Sequence, residues 1–138
     1  MFMVSSVNAG IVAGGELGFG SEIDGVGAAI AMGTQSALNQ DSTSYVRTLF
    51  TKVNFGPENI DNVGAVLINY FINIKEWNLK IGSRMAADYE ISESNIGLAA
   101  GIEAVKNIGS GISIYGKEDI VKRDKVSYFI IGIGLVVN

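Results

Sequence analysis

Among the charged residues inside segments of the sequence that alternate between apolar and polar or small residues, the pattern of β-strands, five are candidates for chemistry. They are Glu16, Lys52, Lys80, Arg84 and Glu103. Carboxylates and amines can transfer protons, and they can also form ion pairs when they are removed from water. No serine stands beside either lysine at a spacing that indicates a nucleophile, and both glutamates have bases available as partners. The set therefore predicts an ion-pair network in place of a catalytic site.

The composition excludes several other kinds of site. The 138 residues contain neither cysteine nor histidine, so the usual ligands of zinc, haem and iron–sulfur clusters are missing, and so is an imidazole base. The sequence has no dinucleotide-binding, P-loop or EF-hand pattern. Its net charge is −4 and its lysines and arginines form no stripe, which argues against nucleic acid as a partner. We predict no catalytic residue, no cofactor, no metal and no enzymatic activity.

The segments that hold the charged residues are predicted to be β-strands. Period-2 alternation recurs along the chain, and no segment shows a sustained apolar stripe of helical period. The intervening stretches are short, as expected for hairpins between antiparallel neighbours, and 92–95 and 117–125 are predicted to be solvent-exposed charged connections. About eight strands are predicted, at 10–20, 25–35, 45–56, 63–74, 77–89, 96–105, 108–116 and 126–137. Because closure removes both exposed edges, we predict an all-β, closed, up-and-down antiparallel barrel.

The two faces of these strands favour a barrel of the transmembrane type. In 77–89, the residues Trp77, Leu79, Ile81 and Met85 share one face, and the opposite face carries the two cations among small residues. Most other strands repeat this division. A soluble sheet needs a charged outer face, yet only 17% of the residues are charged, against about 25% in typical soluble domains. The inverse arrangement, apolar outside and polar inside, is that of outer-membrane barrels, and small side chains fit the narrow interior of eight strands.

This orientation assigns positions to the polar and aromatic residues. The five charged residues would pair inside the barrel, with Asn69, Asn73, Tyr115 and Tyr128 supplying hydrogen bonds. Aromatic side chains of transmembrane barrels concentrate at the two membrane–water interfaces. Five aromatic residues near strand ends are predicted to lie there: Phe19, Tyr45, Phe55, Trp77 and Tyr89.

The N-terminal residues 1–9 are separate from the predicted strands. Val7-Asn8-Ala9 has the small residues that precede a signal-peptidase cleavage site, but the apolar part is shorter than a signal core. We interpret 1–9 as either a signal-peptide remnant or an N-terminal extension. Residues 10–138 are predicted to form a single barrel domain.

With these features the chain resembles the small eight-stranded outer-membrane barrels of the OmpA/OmpX type. The resemblance spans about residues 10–137 and rests on architecture. Many bacterial barrels end in an aromatic residue, whereas this chain ends Val136-Val137-Asn138, and its loops are shorter than those of adhesive members. The resemblance implies a monomer in the bacterial outer membrane that contacts lipid, has a plugged polar interior and serves a structural or surface-interaction role. It leaves any extracellular partner unidentified.

Two other functions fit the same strand pattern. A soluble barrel of the lipocalin or avidin kind would bind a small apolar ligand inside. A minor pore would hold a continuous file of water among the interior charges. The position of the face that carries Trp77, Leu79, Ile81 and Met85 distinguishes the soluble barrel from the transmembrane one.

Overall fold

Eight antiparallel strands form one closed barrel in the computed structural model, which describes residues 10–19, 27–41, 43–55, 58–91, 95–123 and 126–137. The strands are β1 (Gly10–Phe19), β2 (Gly27–Ala37), β3 (Ser44–Phe55), β4 (Glu58–Ile74), β5 (Leu79–Glu90), β6 (Asn95–Gly109), β7 (Ile112–Arg123) and β8 (Val126–Val137). Each strand pairs with the next, and β8 pairs with β1. The predicted all-β, up-and-down barrel of eight strands is therefore confirmed. Residues 1–9, and with them the signal-peptide interpretation, lie outside the described residues.

The barrel has two distinct ends. One end holds the start of β1, the end of β8, the β2–β3 and β6–β7 connections and a three-residue 3-10 turn, Lys75–Trp77, between β4 and β5. We call it the terminal end, and the other the opposite end. In the described parts of the chain, no helix has the length and apolar character needed to cross a bilayer.

Three strands are longer than the sequence pattern predicts. β4 begins at Glu58, five residues before its predicted start, and β6 continues to Gly109, through a predicted break. β7 extends to Arg123, so most of the predicted connection 117–125 is strand. The prediction was wrong because the charged run itself alternates: Lys117, Asp119 and Val121 are buried, while Glu118, Ile120 and Lys122 are exposed.

The apolar face points outward, as the sequence indicates. Met85 of β5 is 65% exposed, whereas Arg84 beside it is 3% exposed. The inward face includes an apolar cluster at which aliphatic and aromatic side chains meet near the middle of the barrel and toward the terminal end: Val12, Leu49, Val66, Ile68, Tyr70, Tyr115 and Val136. Side chains thus fill this part of the lumen, as the narrow interior of an eight-stranded barrel requires.

Two irregularities in strand pairing change which residues face the lumen. The register shifts between Tyr70 and Ile72 in β4 and between Asn107 and Gly109 in β6, both toward the terminal end. A bulge of this kind inserts one residue and reverses the alternation beyond it. Asn73 therefore borders the lumen, but Asn69 lies on the outer side, where its Oδ1 accepts a hydrogen bond from Ser44 Oγ at 2.7 Å. The prediction that both asparagines face inward was wrong for Asn69.

Glycines occupy the positions where the interior has no room for a side chain. Gly14 of β1 and Gly134 of β8 are paired, and a Cβ at Gly14 would lie 2.7 Å from Tyr115 Oη. A Cβ at Gly134 would lie 2.5 Å from the Tyr115 ring. These two glycines hence leave space for one tyrosine. At Gly33 a Cβ would collide with the backbone carbonyl of Thr48 on the neighbouring strand.

Replacing Gly33 by alanine is expected to lower the free energy of unfolding by about 1–3 kcal/mol, because backbone atoms must move to admit the methyl group. Gly116→Ala is the matched control, since the nearest atom to its Cβ is 4.0 Å away. Denaturant titration of both variants measures the difference. Equal midpoints for the two variants would show that Gly33 is not in close contact.

Candidate functional site

The middle of the lumen holds a cluster of ionised side chains from four strands. Arg47 comes from β3, Arg84 from β5, Glu103 from β6, and Lys117 and Asp119 from β7. All five are at most 8% exposed. Charges buried to this extent must be paired and hydrogen-bonded, because each loses its hydration.

Glu103 is the centre of this cluster. Arg47 binds it with two parallel hydrogen bonds, Nη1 to Oε1 at 2.8 Å and Nη2 to Oε2 at 3.0 Å. Tyr70 Oη donates to Oε2 at 2.5 Å, and Arg84 Nη1 donates to Oε1. A carboxylate offers about four lone-pair positions, and four donors occupy them here. The Glu103 carboxylate is therefore fully satisfied.

The hydrogen bonds continue from Glu103 to both walls of the barrel. Arg84 Nε donates to Asp119 Oδ1 at 3.1 Å, and Lys117 Nζ donates to Asp119 Oδ2 at 3.0 Å. On the other side, Arg47 donates to Gln35 Oε1 from Nε at 3.1 Å and from Nη2 at 2.9 Å. Side chains from β2 to β7 are thus joined across the lumen. We call this set, Gln35, Arg47, Tyr70, Arg84, Glu103, Lys117 and Asp119, the interior network.

Backbone register explains why these side chains meet. Arg84 on β5 and Asp119 on β7 both face Gly101 on the intervening β6. A Cβ at Gly101 would collide with Asp119 Oδ1. The missing side chain is what allows Arg84 to reach across β6 to the carboxylate.

An aromatic ring holds Arg47 from its other side. The Arg47 guanidinium carbon lies 4.4 Å from the centre of the Tyr115 ring. Tyr115 occupies the space left by Gly14 and Gly134. A cation beside an aromatic face is attracted by the ring's quadrupole. Tyr115 therefore stabilises the positive charge of Arg47, in addition to the ion pair with Glu103.

The structure brings together two of the five charged residues that the sequence singled out. Arg84 and Glu103 are bonded to each other in the interior network. Lys80 is half-buried and borders a cavity nearer the terminal end. The side chains of Glu16 and Lys52 are outside the described part of the structure.

Sequence reasoning missed Arg47, Lys117 and Asp119. Lys117 and Asp119 were assigned to a connection because the run around them is rich in charge. Arg47 shares its face of the strand with Tyr45, which is predicted to lie on the outer face, so the same prediction directs Arg47 away from the lumen. The sequence carries no signal that corrects this, because Tyr45 and Leu49, which share the face of Arg47, are large side chains of the kind expected to face lipid.

Of the five aromatic residues predicted to lie at the membrane interfaces, two are exposed and one is half-buried in the lumen. Trp77, in the 3-10 turn at the terminal end, is 61% exposed, and Tyr89, near the opposite end of β5, is 44% exposed on the outer face. Tyr45 was predicted wrongly: it is half-buried and packs edge-on against Tyr70, with 5.9 Å between ring centres. The physical reason is that Tyr45 shares its face of β3 with Arg47 and Leu49, which are both buried in the lumen. The side chains of Phe19 and Phe55 lie outside the described residues, as does that of Tyr128.

A cavity of about 350 Å³ lies between the interior network and the terminal end. Its lining residues are mostly polar: Gln35, Tyr45, Tyr70, Asn73, Lys75, Asn78, Lys80, Val105, Asn107, Ser113 and Val136. Within the described ranges, no group of three or more acidic side chains is arranged to hold a metal ion.

No family model matches the sequence, and no curated protein matches it. Three solved structures share the fold. A de novo designed transmembrane β-barrel has a TM-score of 0.69 at 10% identity, covering 93% of both chains. The crystal structure of Neisserial surface protein A (NspA) has a TM-score of 0.65 at 12% identity over 94% of both chains. A second design, TMB2.3, has a TM-score of 0.58 at 10% identity, covering 95% of this chain and 94% of the design.

The chain has the fold of a small transmembrane β-barrel. The resemblance to the OmpA/OmpX type is thereby confirmed in its architecture, which includes an eight-stranded closed sheet of the kind found in NspA and in the designs. The TM-scores of 0.69 and 0.65 establish the fold, and at identities of 10% and 12% they establish the fold alone. The role of the chain follows only from its own side chains.

Replacing Glu103 by glutamine is expected to destabilise the barrel by about 3–5 kcal/mol, because Arg47 and Arg84 would remain buried without their shared carboxylate. Glu118→Gln is the matched control. Glu118 lies on the exposed face of β7, so its loss should leave the free energy of unfolding unchanged or raise it. Denaturant titration of the two variants checks the expectation, and an equal loss in both would contradict a special role for Glu103.

Proposed function

We propose that this chain is an outer-membrane β-barrel protein of a bacterium, with a structural or surface-interaction role, a sealed polar interior and no catalytic activity. The observation that carries the proposal is the combination of an apolar outer surface with charges paired across the lumen. The structural similarity of the chain to NspA and to a designed transmembrane barrel supports the proposed location in a membrane.

The outer surface supports contact with lipid. Large apolar side chains are exposed on every strand, among them Ile11, Ile30, Phe50, Leu67, Met85, Leu98, Ile120 and Ile133. Soluble monomers rarely expose contiguous apolar patches larger than a few hundred Å². A belt that encircles the molecule is typical of a surface in contact with hydrocarbon.

The interior favours this proposal over a soluble ligand-binding barrel. A lipocalin-like site needs an apolar cavity, but the lumen here contains Arg47, Arg84, Glu103 and Asp119 and a cavity bordered mainly by amides, lysines and hydroxyls. The face with Met85 points outward. The outward direction of this apolar face therefore favours the transmembrane barrel over the soluble one.

The interior network also supports a sealed barrel without catalysis. Arg47 on β3 and Glu103 on β6 come from strands on different sides of an eight-stranded ring, so their two hydrogen bonds cross the lumen. Both oxygens of Glu103 and both of Asp119 accept hydrogen bonds. Neither carboxylate can accept a proton from a substrate without breaking this arrangement.

Contact with lipid predicts different costs for the same substitution at two depths. Ile133, near the middle of β8, is 60% exposed, and Ile11, at the start of β1, is 64% exposed. In lipid vesicles, Ile133→Lys should cost about 2–4 kcal/mol and Ile11→Lys about 0–1 kcal/mol, because lysine is penalised most at the bilayer midplane. Reversible unfolding in guanidinium measures both.

Equal and small costs would contradict the membrane assignment, because a lysine on a water-exposed surface costs little wherever it stands. The purified wild-type chain provides a second check. We expect it to require detergent to remain dispersed and to change its gel mobility on heating. A chain that stays monomeric in plain buffer would refute the proposal independently of the variants.

The sealed interior predicts that the wild-type barrel conducts little or no current in a planar bilayer. The double variant Arg47→Ala/Glu103→Ala removes the pair that crosses the lumen, and its conductance should rise. Glu118→Ala, on the outer face, is the control and should behave like the wild type. Steady conductance in the wild type would favour the minor pore and overturn the sealed interior.

A further inference from the structure

We infer that the cavity at the terminal end is a binding site for a small anion that carries hydroxyl groups, such as a phosphorylated sugar or a phosphoglycerol headgroup. Its volume of about 350 Å³ lies at the lower end of the range of small-ligand sites, about 300–1,000 Å³. The inference goes beyond the proposed function and is independent of where the barrel resides.

The charge of the lining selects an anion. Lys75 and Lys80 both border the cavity, and no carboxylate is found among its described lining residues. Glu76, although it belongs to the same 3-10 turn as Lys75, does not line it. Phosphate and carboxylate groups form strong charge-assisted hydrogen bonds with ammonium groups.

The uncharged lining selects a ligand with several hydroxyl groups. Asn73, Asn78 and Asn107, whose side chains carry amides, line the cavity, and so does Tyr45, whose side chain carries a phenol. An amide both donates and accepts hydrogen bonds, so it suits a hydroxyl group, which does the same. Such a lining would be a poor match for an apolar ligand.

The backbone around the cavity is shaped for these side chains. The bulge beyond Tyr70 brings Asn73 to the lumen side of β4. Asn78 has a left-handed backbone with φ of 51°, a conformation uncommon outside glycine. Bulges and unusual dihedral angles cluster at functional sites.

Hydrogen bonds hold the rim of the cavity in place. The backbone N–H of Asn107 donates to the Asn78 carbonyl at 3.1 Å, and Lys106 Nζ donates to the Trp77 carbonyl at 2.5 Å. These contacts tie the 3-10 turn to β6. A rim fixed in advance reduces the entropy that a ligand must overcome on binding.

The interior network closes the inner side of the cavity. Gln35 and Tyr70 both line it, and their side chains are bonded to Arg47 and Glu103. A ligand that enters from the terminal end therefore meets the network. The geometry fits binding in a pocket that is open at the terminal end and closed at its inner side. It does not require transport through the barrel.

Trp77 provides the measurement, because it is the single tryptophan of the chain and lies in the turn that carries Lys75. The full chain in a neutral detergent is titrated with glucose 6-phosphate, glucose and short-chain phosphatidylglycerol while tryptophan fluorescence is recorded. We expect saturable binding of at least one phosphate compound and at least tenfold weaker binding of glucose. Binding of the sugar phosphate indicates a soluble ligand, and binding of the lipid alone indicates a headgroup.

Three lysine variants test the site itself. Lys80→Met and Lys75→Met should each weaken phosphate binding about tenfold or more, since each removes a charge-assisted hydrogen bond. Lys122→Met, on the exposed face of β7 toward the opposite end, should bind like the wild type. Because Lys75 is exposed on a turn, its variant remains informative if Lys80→Met fails to fold. The inference is overturned if neither phosphate compound binds, if glucose binds equally well, or if Lys75→Met binds as tightly as the control.

Discussion

A carboxylate buried between two guanidinium groups is the constraint on which the rest of this structure depends. Glu103 is 1% exposed and receives donors from Arg47, Arg84 and Tyr70. The hydration that these ions give up is worth several kcal/mol each, and only close pairing with satisfied hydrogen bonds offsets it. Such pairing needs donors from several directions at once. A closed barrel supplies them, because β3, β4, β5 and β6 all turn alternate residues toward one narrow space.

The same narrow space explains the high glycine content of strands that glycine should weaken. Each long interior side chain needs a neighbouring position without one: Gly101 separates Arg84 from Asp119, and Gly14 and Gly134 admit the Tyr115 ring. Tyr115 in turn supports Arg47. The glycines therefore make the space that the buried charged side chains occupy. Glycine loses more conformational entropy on folding than other residues, and the electrostatic contacts across the lumen offset this cost.

Much of the barrel could be predicted from the sequence, because period-2 alternation with apolar residues on one side identifies both the strands and their outer face. Arg84 and Glu103 were found this way. Asp119 was not, since a dense run of charge hides alternation, and Tyr45 was placed on the wrong face of a strand whose faces are both mixed. The inward position predicted for Asn69 was wrong for a different reason. A bulge reverses the alternation within β4, and no residue type in the strand indicates its position.

The interior network also forms the inner boundary of the cavity at the terminal end. Two bulges and the left-handed Asn78 lie toward the terminal end. The side chains of Gln35 and Tyr70 that border the cavity are already bonded to charged partners. Filling this space with apolar side chains would stabilise the barrel, because apolar surface removed from water contributes about 25 cal/mol per Å². The ligand inferred for that end, an anion with hydroxyl groups, accounts for a polar lining where apolar packing would be more stable.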